Sequence, residues 1–155
     1  MIILQPSAGF IKATGLDFKL LTFILSRCIK IHPRVVIKIY KNKQGWSEFW
    51  SDTKVIKIDL KQGTSLKYIV STLLHELRHF NQVRVFKSIR FNYSTYNEYY
   101  NSAEERDARK FEKLAADVCR IYNSYKSIEE KFNKFKFDSW KELGYNLGVD
   151  SNKQK

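Results

Sequence analysis

The run His75-Glu76-Leu77-Arg78-His79 sets two imidazoles and a carboxylate within five residues. Histidines four apart on a helix project from one face, one turn above the other, so both can reach a single metal ion. Zinc suits two nitrogen ligands with a carboxylate and keeps a fourth position for water. Glu76, beside the first histidine, leans over that water and can accept its proton. The expected chemistry is metal-assisted hydrolysis of a peptide bond, with Glu76 as general base. A chance HExxH arises in roughly one chain of this length in a few hundred. Here it also falls inside a helical pattern, which favours a site over two ordinary surface histidines.

A third protein ligand is needed, and no histidine follows His79. A carboxylate must serve. Glu104 and Glu105, at the start of the next predicted helix, are the candidates. Glu105, Ala108 and Phe111 fall at helical spacing, and the small Ala108 lets that helix pack closely beside the histidines. Offsetting the helix dipole is the competing role for both glutamates.

The elements that must position these groups are readable from periodicity. Leu16–Ile31 predicts a helix, ended by His32-Pro33. Arg34–Tyr40, Trp46–Trp50 and Lys54–Leu60 predict three strands in succession, with a hairpin between the first two and a mostly antiparallel meander overall. Thr64 or Ser65 caps a helix from Leu66 to about Val85, which carries the HELRH run. Residues 88–101 read as a loop. Ser102 caps a helix from Ala103 to about Tyr125, and residues 127–137 form a basic amphipathic helix. Asp150–Lys155 is expected to fray. His32 reads as a capping or surface residue, and Trp46, Phe49 and Trp50 as packing aromatics.

The bulk properties narrow the setting. A chain of 155 residues suits one domain, 1–155. Lys and Arg outnumber Asp and Glu by 28 to 16, a net charge of +12, which favours acidic partners and admits nucleic acid as one. The lysines are spread out, so a solvated basic surface is the plainer reading. Cys28 and Cys119 have no metal-binding spacing. Met1–Phe10 lacks the pattern of a signal peptide, and no apolar run approaches a membrane span. A cytoplasmic protein with no membrane partner is expected.

HELRH followed 26 residues after His79 by Glu105-Arg106-Asp107-Ala108 resembles the gluzincin group of zinc metallopeptidases. The resemblance is closest to the small single-domain kind, the minimal zincins and the ImmA/IrrE-like peptidases of phages and mobile elements. It implies an α+β, zincin-like fold: an N-terminal helix, a small three-stranded sheet, the HExxH helix, a third-ligand helix and a C-terminal helix. It implies one zinc ion held by His75, His79 and Glu105, and a protein or peptide substrate lying along a sheet edge. Lys54–Leu60 is the strand expected to hold that substrate. Arg109 stands where many such proteins carry Asn or Asp, and Asp107 is an alternative partner to orient a histidine. The group that stabilises the oxyanion is left open among Tyr93, Tyr96, Tyr99, Tyr100, Arg106 and Arg109. Two other readings compete: a DNA-associated protein that keeps this fold, and a non-catalytic zinc-binding domain.

Overall fold

The computed structural model describes residues 2–28, 35–50, 52–86 and 93–142, without the side chains of 84–86 and 135–142. Its elements are β1 (Ile2–Pro6), α1 (Ala8–Thr14), α2 (Phe18–Cys28), β2 (Val35–Asn42), β3 (Glu48–Trp50), β4 (Val55–Asp59), α3 (Leu66–Phe86), α4 (Tyr96–Tyr100), α5 (Ala103–Glu112) and α6 (Ala115–Glu142). They form two compact units, residues 1–120 and 121–155. Among the described residues the second unit is the remainder of α6. The α+β class is as expected. His32 and the tail at 150–155 lie outside the described residues.

The sheet departs from expectation. Among the described residues it has four strands in the order β1-β2-β4-β3, not three. β1 and β4 both run parallel to β2, and β3 runs antiparallel to β4. The meander is therefore a mixed sheet, and the hairpin joins β3 to β4 rather than β2 to β3. β2 buries Val35, Ile37 and Ile39 over eight residues, enough to pair on both sides. β3 has three residues and takes the edge. β1 escaped the sequence reading because its five residues are few for a periodic signal and end in Pro6; Ile2 and Leu4 nonetheless alternate into the core.

This order also corrects the strand assigned to the substrate. β4 lies between β2 and β3, has no free edge, and buries Ile56 and Ile58 completely. β3 carries the free edge on that side. At the opposite edge α2 blocks β1. Thr22 Oγ1 accepts from the Leu4 N–H at 3.2 Å, and Ser26 Oγ donates to the Ile2 carbonyl at 2.9 Å. Covered edges cannot template further strands.

The helices follow their local signals. Asp17 Oδ1 accepts from the Leu20 N–H at 3.0 Å and starts α2. Ser65 Oγ does the same for Tyr68 at 3.2 Å and starts α3. α3 buries Ile69, Leu73, Leu77 and Phe80. Phe80 meets Phe49 of β3 edge-on, with ring centroids 5.3 Å apart. This contact ties the edge strand to the helix of the HELRH run. α4 lies in the stretch expected to be a loop, capped by Thr95. The helix expected over 103–125 is broken. Lys113 and Leu114 bond back three residues, to Lys110 and Phe111, in a tight turn. α6 then runs through Ser127 unbroken, because no Gly or Pro stands there to stop it.

Candidate metal centre

α3 and α5 bring the three expected donors together. His75 Nε2 and His79 Nε2 face each other at 3.0 Å. Glu105 Oε1 lies 2.8 Å from His79 Nε2, and Glu105 Oε2 lies 3.4 Å from His75 Nε2. One ligand atom from each residue falls within 4.8 Å of the others, so the three form a group that could hold a metal ion. Ser102 places Glu105 by accepting its N–H at 3.2 Å. Ala108, fully buried, lets α5 approach α3 as its size suggested. Glu104 turns away and accepts from the Tyr93 hydroxyl at 2.9 Å. Glu105, not Glu104, is the carboxylate at the histidines.

The donor set fits a cation. His75 Nδ1 donates to Glu112 Oε1 at 2.6 Å, and His79 Nδ1 donates to Gln82 Oε1 at 2.8 Å. With both Nδ1 atoms bonded outward, both Nε2 atoms face inward, at each other and at a carboxylate, and once deprotonated both offer a lone pair to a cation. A positive charge between them turns repulsion into attraction. Gln82 is itself oriented, its Nε2 donating to Asp107 Oδ2 at 2.8 Å and to the Glu104 carbonyl at 3.0 Å. Asp107 thus orients His79 through Gln82. It also accepts from Arg78 Nε at 2.6 Å, clasping α5 to α3 a second time.

Gln82 and Glu112 were not singled out from the sequence. Both had a readable signal: Gln82 follows His79 by three residues, and Glu112 follows Glu105 by two helical turns. Replacing either residue with Ala is expected to weaken zinc binding by about 10–100-fold, the usual effect of losing a partner that orients a histidine ligand. Tyr93→Phe, which keeps the ring packed on Tyr99 and removes a hydroxyl that donates to Glu104 rather than to a metal-site residue, should leave affinity unchanged. Competition with a chromophoric chelator measures all three.

Charge in the cluster is strongly coupled. Burial works against a charged His75, but Glu105, Glu76 and Glu112 overcome it and push its pKa up to about 9. Burial likewise opposes the Glu105 charge, but hydrogen bonds from His75, His79 and Tyr99 hold its carboxyl well below the usual range. Burial raises Glu76 to about 7 despite the neighbouring imidazoles. Without metal, protonated His75 therefore contributes stability that is fully present below about pH 6.5 and lost as pH rises through about 9. Metal must displace that proton. Zinc uptake at pH 7.5 should release about one proton, seen by calorimetry in buffers of different ionisation enthalpy. Uptake without proton release would contradict this charge state.

Glu76 is 6% exposed and borders a cleft with two lobes. The polar lobe is lined by Tyr68, Thr72, His75, Tyr99 and Arg109, the apolar lobe by Phe49, His79 and Val83; Trp46 and Tyr99 border both. The start of β3 thus lies along the cleft. Among the described residues no helix is long and apolar enough to cross a membrane, and Cys28 and Cys119 are both free. No family model, curated protein or solved structure matches the chain.

Proposed function

We propose that this chain is a zinc-dependent peptidase of the small gluzincin kind, acting on extended polypeptide. The observation that supports the reading is the convergence of two inward Nε2 atoms and one carboxylate beside a buried glutamate, in a cleft bordered by a sheet edge. His75, His79 and Glu105 would hold the ion. Zinc, when bound, polarises a carbonyl and lowers the pKa of water to about 7.

The remaining work falls to the protein's own groups. Glu76 accepts a proton from water in the cleft and passes it to the leaving amine, and its burial, which strengthens its hold on a proton, suits both transfers. The free edge of β3 offers unpaired backbone groups to an extended substrate. The lobe lined by Phe49 and Val83 takes an apolar side chain.

Zinc-loaded protein is expected to cleave a denatured protein substrate. Cleavage should cease on chelation and return with zinc, as read by gel and mass spectrometry. Cleavage unaffected by metal removal would refute the proposal.

A further inference from the structure

Arg109 is held on most sides, and one nitrogen of its fork lacks a hydrogen-bond acceptor among the described residues. Its Nη2 donates to the Tyr100 carbonyl at 2.6 Å, and its guanidinium lies 3.9 Å above the Tyr100 ring. Nη1 lies 3.6 Å from Glu105 Oε2, close enough for ion pairing and too far for a hydrogen bond. This Nη1 is buried and has no hydrogen-bond acceptor among the described residues. A buried donor left unmade is costly, and a charged one more so. Holding Glu105 does not account for it. His79 and Tyr99 already orient that carboxylate by hydrogen bonds.

We propose that Arg109 Nη1 donates to an oxyanion of the bound ligand: the scissile carbonyl oxygen as it gains negative charge. The inference rests on the peptidase reading above and adds a catalytic residue to it. Arg109 borders the lobe that His75 and Glu76 border. It stays charged at any working pH, and stacking on Tyr100 with the bond to its carbonyl holds the fork beside the cleft. The other groups the sequence left open are committed or displaced. Tyr99 donates to Glu105 and Tyr93 to Glu104; Tyr100 lies under Arg109; Tyr96 also lines the cleft but is 76% exposed, where water screens a neutral hydroxyl; Arg106 is exposed.

The test uses a blocked phosphinic pseudopeptide bearing a benzyl side chain, whose PO2 group mimics the charged tetrahedral carbon, beside the matched amide peptide. Calorimetry compares zinc-loaded parent, Arg109→Gln and Arg109→Lys. Arg109→Gln should bind the phosphinic compound about 100-fold more weakly and the amide within a few-fold of the parent, at unchanged zinc content and circular dichroism. Arg109→Lys, which keeps the charge and loses the fork, should lose about tenfold. Equal phosphinic affinity in parent and Arg109→Gln overturns the inference. So does failure of the parent to bind the compound, or loss of zinc from Arg109→Gln. The expected binding pattern without any hydrolysis by the parent would refute the peptidase reading and leave the oxyanion site standing. Hydrolysis by the parent with equal binding by the variant would do the reverse.

Discussion

Glu76→Gln should retain zinc and lose peptide hydrolysis by about 10²–10⁴-fold, the usual contribution of one positioned acid–base group. The substitution keeps shape and removes the proton acceptor. Glu76 is buried yet borders both lobes of the cleft, so water that reaches the cleft meets this carboxylate. It is not one of the three converging donors, which is why metal should stay. Because burial raises its pKa to about 7 in the metal-free protein, the neutral amide mimics a form that is well populated there, and folding should survive. Paired measurements of zinc content and cleavage rate check both halves. A Gln variant as fast as the parent would remove Glu76 from the mechanism. A Gln variant without zinc would show that its role is to hold the site together.

The second large effect separates two adjacent glutamates. Glu105→Ala should weaken zinc binding beyond the ~10–100-fold expected of an orienting partner, because it deletes a ligand. Glu104→Ala should leave affinity unchanged, since Glu104 meets Tyr93 instead. Melting temperature reports the difference. A ligand at about 1,000 times its Kd stabilises a fold by about 4.1 kcal/mol. Parent and Glu104→Ala should gain that stabilisation from zinc, and Glu105→Ala should gain much less. A zinc-induced shift equal in all three proteins would exclude Glu105 as a ligand.

Much of this site was legible because its signals are local. The spacing of His75 and His79, the caps at Ser65 and Ser102 and the small Ala108 each act within a few residues of chain. Thr95 with Glu98 three residues on is also a capping pattern, and it marks the start of α4 in a stretch read as a loop. β1 and α4, five residues each, carried too few residues for periodicity to register, whereas the three-residue β3 was marked by its aromatics. Strand order was not legible at all. Whether β2 pairs with β3 or with β4 depends on contacts distant in sequence, and the alternation of Val35, Ile37 and Ile39 is the same in either arrangement. That ambiguity moved the exposed edge from β4 to β3. The partners of the histidines were hidden differently. Gln82 and Glu112 stand at helical spacing from His79 and Glu105, but that spacing singles them out only once α3 and α5 are placed side by side.

Zinc K-edge X-ray absorption on the stoichiometrically loaded protein tests the central claim most directly. Two imidazoles and a carboxylate predict nitrogen and oxygen scatterers at about 2.0–2.2 Å, with the outer-shell signature of two imidazole rings. A sulfur shell at about 2.3 Å would place the metal at Cys28 or Cys119 instead and contradict the account.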